Sequence, residues 1–433
     1  MEMLEIDQKE VIMKDTTAKP IIIIGVLFFI FGFVTWLNSV LIPYLKLACR
    51  LNNFESLLVA FAFYISYFVM AIPSAKILKY SGFKKGMSLG LFIMACGAVI
   101  FIPAATTRMY PLFLLGLFIQ GTGLTLLQAA SNPYITVLGP PESAAKRISI
   151  MGICNKVAGA IAPVALGLIA LKGVDALKAT LPTLSAAEQE VALNELSSRV
   201  IGPYIAMAIV LTLLAVFIYF SALPEIDTEH EDEKLAQANS SKTSILQFPH
   251  LLLGLLTMFL YVGVEVLAGD TIINYGVTQG IALSTARFFS TLTLSCMIMG
   301  YIAGIVCIPK LISQEIALKI SALLGALFAI IAVITNGFTS VLFIALMGLA
   351  NSLMWPALWP LALAGLGRFT KIGSSLLIMG IAGGAILPLA YGALADAANT
   401  RVAYLIMVPA YLFIWFYGVR GHKITYGRVN AKK

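Results

Sequence analysis

An all-α membrane protein is the fold class this sequence predicts, with twelve transmembrane helices in two pseudo-symmetric six-helix halves. Three observations lead there: the share of apolar residues, their grouping into runs as long as a bilayer is thick, and a motif that recurs in the second half. Of 433 residues, 60% are hydrophobic and 12% charged, about half the charged share of an ordinary soluble domain. A soluble fold of this size has no interior large enough to hide that much apolar surface. A membrane helix needs roughly 20 mainly apolar residues to cross about 30 Å of hydrocarbon, and runs of that length follow one another from Pro20 almost to the end.

The runs fall at about 20–45, 55–78, 86–105, 110–138, 148–171, 201–223, 250–276, 286–309, 314–335, 338–366, 372–395 and 402–419, each bounded by Gly, Pro or charge. Pro43, Pro133, Pro163, Pro356, Pro360 and Pro388 lie inside or near the ends of runs, where kinks rather than breaks are expected because neighbouring helices take up the freed backbone groups. The polar residues 1–19 read as a cytoplasmic N-terminal tail, since they lack the basic, apolar, small-residue order of a cleaved signal. Residues 20–223 form the N-terminal half, 224–248 an acidic and Ser-rich cytoplasmic linker, 249–419 the C-terminal half, and 420–433 a cytoplasmic C-terminal tail. The segment 172–200 alternates apolar and polar residues at helical spacing and reads as a short surface helix on the outer side, with a ligand lid as the other reading. The two halves are related: Gly-Ala-Ile-x-Pro-x-x-x-Gly runs from Gly159 to Gly167 and again from Gly384 to Gly392. Such repeats in parallel orientation are related by an axis along the membrane normal.

Net charge is +8, which in a soluble chain would suggest nucleic acid. Here most of the Lys and Arg sit in alternate short connections, among them Lys76, Lys79, Lys84, Lys85, Lys146, Arg147, Arg368 and Lys371. The positive-inside rule then sets both termini in the cytoplasm of a multi-pass inner-membrane protein. The partners expected are the lipid bilayer and a small molecule, with no nucleic acid, and the chain is expected to be a monomer. Cys49, Cys96, Cys154, Cys296 and Cys307 are scattered, with no CxxC and no metal-ligand spacing, so no cofactor or firm metal site is expected. HExxH does not occur, and the one GxSxG, Gly86–Gly90, lies inside an apolar run rather than at a strand-to-helix turn, so an enzyme is not expected.

Polar side chains at membrane depth are costly and mark a water-filled cavity, a ligand or an interhelical bond. Thr125, Gln128 and Asn132 share one face of the fourth span, and their carboxamides offer both donors and acceptors. On the fifth span Asn155, Gly159, Pro163 and Gly167 step by four, with the cation Lys156 beside them. Gly32, Thr35, Asn38 and Ser39 make a weaker polar face on the first span, next to Trp36. The seventh span carries Glu265 and Asp270, which point roughly 140° apart; one is expected to meet Lys156, and Asp270 could instead share a cavity face with Asn274. Asn351, Trp355 and Trp359 step by four on the tenth span, and an indole both packs against a sugar ring and donates an N–H. The candidate substrate groups are therefore Asn38, Gln128, Asn132, Asn155, Asn351, Trp355 and Trp359. The candidate coupling groups are Glu265, Asp270 and Lys156.

FGFVTWLNSVLIPYLK in the first span, LLQAASNPYITVLGPPES at the fourth, RISIMGICNKVAGAIAP in the fifth, FLYVGVEV in the seventh and NSLMWPALWPLALAGLG in the tenth together resemble the fucose, glucose and galactose transporter family of the major facilitator superfamily, closest to its bacterial glucose/galactose branch. The likeness covers nearly the whole chain. It implies the major facilitator superfamily fold and secondary active hexose uptake (glucose or galactose, or fucose) across the inner membrane, by symport and alternating access. In the fucose:proton symporters a carboxylate in the first span and one in the fourth serve proton coupling; the aligned positions here are Ser39 and Gln128, so that mechanism does not carry over. Asn155 matches the polar fifth-span position of that subfamily. Sodium, near Glu265, and the proton both stay open as coupling ion, and an uncoupled facilitator or, more distantly, a drug efflux transporter stand as rival readings.

Overall fold

The computed structural model describes residues 20–137, 144–221, 223, 243–308 and 311–424. The tail 1–19, most of the linker 224–248, and residues 425–433 of the second tail lie outside the described residues, as does the side chain of Pro133.

Among the described residues, eleven helices are long and apolar enough to cross a membrane, and one of these, Asn53–Thr107, has 55 residues. At about 1.5 Å per residue that helix would be roughly 80 Å long, more than twice the hydrocarbon core. It is divided at Gly82, whose φ of 75° and ψ of 172° are far from helical and which glycine, lacking Cβ, adopts without strain. The second and third spans meet there, giving the twelve-span fold. The second span starts with a capping box in which the Asn52 side chain accepts from the Glu55 backbone and Glu55 accepts from that of Asn52, satisfying donors the first turn leaves orphaned. The segment 172–200 contains two helices, Val174–Thr180 and Ala186–Ser198, so the surface helix expected there is present and doubled.

Large apolar side chains cover the flanks of the bundle. Phe220, Leu213, Met299 and Val306 are each more than 60% exposed, an arrangement that water would penalise and lipid rewards.

Several spans are broken at mid-depth, and these breaks set up the site. The first is interrupted at Leu37, the seventh divides into Pro249–Asp270 and Ile272–Thr278, and the tenth into Gly337–Asn351 and Met354–Leu363. Backbone carbonyls at the breaks find side-chain donors: Ser39 Oγ donates to Trp36 O at 2.8 Å, Thr271 Oγ1 to Leu267 O at 2.5 Å, and Ser290 Oγ to Gly269 O at 2.9 Å. Leu37, Thr271 and Ser352 keep right-handed helical dihedrals, so these are local interruptions of the hydrogen-bond ladder, which such donors compensate. Leu353 is helical too, so the tenth span runs on from Gly337 to Leu363 across the interruption.

Hydrogen bonds between the halves gather at the distal end, remote from both tails. Asp396, closing the eleventh span, accepts from the backbone N–H of Asn53 and Phe54 at 3.2 and 2.8 Å and from Asn53 Nδ2 at 2.6 Å. Asp175, after the fifth span, accepts from the backbone N–H of Leu283 and Ser284, both at 2.9 Å. The repeat that pairs the fifth span with the eleventh thus pairs two carboxylates, each capping a helix start in the opposite half. Thr291 Oγ1 donates to Ala160 O at 2.8 Å nearby. Burial works against the Asp175 charge, but bonds from Ser284 and Leu283 outweigh it and hold the carboxyl below its usual range.

Candidate functional site

The centre of the bundle holds an ion pair that joins the halves. Lys156 Nζ lies 2.7 Å from Glu265 Oε1, with the two residues each 8% exposed, so of the two carboxylates open to Lys156 it meets Glu265. Trp36 underlies the pair, with Lys156 Nζ 4.7 Å from its ring centroid, a cation–π distance. The indole fits between glycines of both halves, because a methyl on Gly159 or on Gly269 would overlap its ring. Gly159 of the small-residue stripe on the fifth span therefore admits an aromatic ring from the first. Tyr261, Tyr301 and Tyr411 stand within electrostatic reach of Glu265.

The carboxamides form a second group, mostly in the N-terminal half. Gln128 Nε2 donates to Tyr67 Oη at 2.9 Å, and Tyr67 is stacked on Tyr64 with centroids 6.3 Å apart. Asn155 Nδ2 lies 3.5 Å from Phe28 O, a weak contact. Gln128, Asn132 and Asn155 are each half-buried. Thr125 differs from its neighbours on that face, since its hydroxyl donates to Gly121 O of its own helix at 2.8 Å. Asn38 is 1% exposed and neither amide atom has a partner among the described residues.

In the C-terminal half Trp355 and Trp359 are stacked, with centroids 5.4 Å apart and 17° between planes, and Tyr261 lies 6.4 Å from Trp355. Both tryptophans are half-buried. Asn351 Oδ1 accepts from Tyr411 Oη at 2.9 Å, while its Nδ2 has no partner among the described residues. Asp270 and Asn274 do not share a cavity face as the one-turn spacing suggested: Asp270 is wholly buried, the helix breaks after it, and Asn274 Nδ2 reaches Asn53 Oδ1 at 3.5 Å near the distal latch.

Among the described residues no group of three or more His, Cys, Asp or Glu side chains converges to hold a metal ion. Around the ion pair the neighbours are aromatic: Trp36 lies under Lys156, and Tyr261, 6.4 Å from Trp355, is within reach of Glu265. The profile of the Major Facilitator Superfamily matches residues 24–380.

The chain belongs to the Major Facilitator Superfamily. A glucose/galactose transporter of Brucella abortus biovar 1 (strain 9-941) is 36% identical over 400 residues, covering 92% of both chains. An L-fucose-proton symporter of Escherichia coli (strain K12) is 30% identical over 399 residues, covering 91% of this chain and 90% of its own. Among solved structures, FucP in the outward conformation gives a TM-score of 0.71 at 28% identity, covering 94% of this chain and 99% of that one. A D-xylose-proton symporter, at 14% identity and a TM-score of 0.63, shares the fold. These relatives are superfamily transporters rather than enzymes.

Set in this superfamily member, the residues that sequence reasoning passed over are aromatic: Tyr64, Tyr67, Tyr261 and Tyr411, and Trp36 as a structural partner of Lys156. Tyrosine spacing in a membrane helix resembles ordinary core packing. The signal that could have found Trp36 was the glycine stripe, which needs a bulky partner to justify it.

Proposed function

We propose that the chain takes up a hexose, glucose or galactose in the first instance, across the inner membrane by cation-coupled symport and alternating access. The observation that carries this reading is the Lys156–Glu265 pair at 2.7 Å joining the two halves beside the half-buried Gln128, Asn132 and Asn155 and the stacked Trp355 and Trp359. Carboxamides can donate to and accept from several hydroxyls at once, and the indole faces suit the apolar C–H face of a pyranose. The glucose/galactose and fucose relatives support the same cargo class. Efflux of lipophilic drugs would call for an apolar cavity in place of these amides.

The distal end is the outer face in this reading, so the Asp175 and Asp396 contacts are the closed outer gate, and the two halves rock about the midplane to break them. Both termini and the 224–248 linker are cytoplasmic, and the protein works as a monomer. The cation, sodium or a proton, is handled by the group of Glu265, Asp270 and Lys156. Exchange in reconstituted vesicles tests the cargo. Vesicles loaded with unlabelled glucose should take up labelled glucose or galactose against equilibrium, and the absence of such exchange with glucose, galactose, mannose and fucose alike would overturn the reading.

A further inference from the structure

The buried charges at mid-depth do not cancel. Lys156 and Glu265 neutralise one another at 2.7 Å, which leaves Asp270. It is 0% exposed, and neither carboxyl oxygen has a hydrogen-bond partner among the described residues. The helix ends at this residue and restarts at Ile272. Glu265 on the same span and Tyr64 on the second are within electrostatic reach of it. The former would repel an ionised Asp270 and the latter carries no cation. From the other elements packed here, Tyr404 is bonded to Thr271, Tyr391 lies against Tyr404, and Tyr301 and Tyr411 face Glu265. Lys46 and Asp396 are both engaged with Asn53 at the distal end. An unpaired carboxylate in such a place would bear its full desolvation cost, so a monovalent cation is what the cluster lacks.

We propose that Asp270 is the group that takes the coupling cation, that this cation is a proton, and that the Lys156–Glu265 pair stays ionised as a brace between the halves. The proposal rests on the cation-coupled reading above and assigns its carrier. Sodium binds through several hard oxygens converging on one point, and the oxygens next to Asp270 are already engaged: Gly269 O accepts from Ser290, Leu267 O from Thr271, and the Thr271 hydroxyl is shared with Tyr404. A proton needs no such shell. It adds to one carboxylate oxygen to give a neutral acid, and is returned to water when the opposite end opens. The path from cargo to carrier is short: Gln128 bonds Tyr67, Tyr67 stacks on Tyr64, and Tyr64 lies within electrostatic reach of Asp270.

Two experiments on the full chain test this. In vesicles, an imposed pH gradient in sodium-free buffer should drive hexose accumulation in the unmodified protein, while Asp270→Asn should fall to an accumulation ratio of one yet still exchange labelled for unlabelled hexose. Accumulation that survives Asp270→Asn, or that follows a sodium gradient at fixed pH and ignores the pH gradient, would overturn the proposal. The second experiment needs no variant. Dicyclohexylcarbodiimide adds the O–H of a protonated, buried acid across its C=N bond, so mass spectrometry of the treated native protein should find the adduct on Asp270, with less as pH rises, and none on Glu265. An adduct on Glu265 alone, or labelling of Asp270 that is independent of pH, would contradict it. Because the adduct is read without any sugar, it tells failure of this proposal apart from failure of the hexose reading, which shows as absent exchange in the unmodified protein.

Discussion

Glu265→Gln gives the sharpest view of what joins the halves. The Lys156 and Glu265 side chains are 10% and 9% exposed, so neither charge is screened by water, and removing one partner of a buried pair costs about 3–5 kcal/mol because the other is stranded. The pair links the fifth span to the seventh in a structure whose distal end is shut, so the stranded Lys156 gains most by a shift to a form in which water reaches it. A bias of about 3 kcal/mol corresponds to roughly 150-fold in that equilibrium. Leu57, 3% exposed and packed against Gly392 across the distal seam, reports it. Leu57→Cys in a cysteine-free background should react slowly with a membrane-impermeant maleimide, and roughly two orders of magnitude faster once Glu265→Gln is added. Lys156→Met should do the same, whereas Lys156→Met with Glu265→Gln should return most of the way, since no charge is then stranded. Simple additivity of the two single effects, with a coupling below about 1 kcal/mol as for an exposed pair, would refute the reasoning.

Removing a buried amide or indole that pairs with a hydroxyl costs about 1–3 kcal/mol, so Gln128→Ala and Trp359→Ala should each weaken hexose binding by roughly 5- to 150-fold, as read by calorimetry on protein that still inserts. Asp396→Asn and Asp175→Asn each weaken a charge-assisted contact between the halves and should speed the Leu57→Cys reaction, the double variant more than either. The Asp175 carboxyl is held below its usual range, so its contribution is full above that range and is lost only as pH falls through the depressed value; distal closure measured by the same labelling should be constant from neutral pH to about 5 and loosen only in stronger acid. Gly269→Ala would drive a methyl into Trp36 and should lower the melting temperature of the purified protein, whereas Gly202→Ala, where the methyl meets nothing, should not.

The spans were legible because twenty-residue apolar runs have one common explanation, and the halves because Gly159–Gly167 and Gly384–Gly392 repeat a pattern that packing preserves. That Lys156 would meet a seventh-span carboxylate was also legible, since a lone cation in hydrocarbon needs a partner, but the choice of Glu265 over Asp270 was not. What could not be read was where helices break. Nothing in the residues around Leu37, Thr271 or Ser352 distinguishes a kink from a continuous turn, because hydroxyls such as Ser39 and Thr271 bond back along regular helices too, and Ser290, which bonds Gly269, comes from another span. The same holds for Asp270, whose isolation depends on which groups the other helices bring near it. Asp175, in the segment read as a surface helix, and Asp396, just past the eleventh apolar run, show no special role until the opposite half supplies their donors.

Concentrative uptake tests the central claim most directly. Vesicles holding the purified chain, given labelled glucose or galactose and an imposed inward cation gradient, should accumulate the sugar severalfold above the outside concentration and lose it when an ionophore collapses the gradient. Equilibration to equal concentrations with every gradient offered would contradict coupled transport, and no entry of any hexose would contradict the account as a whole.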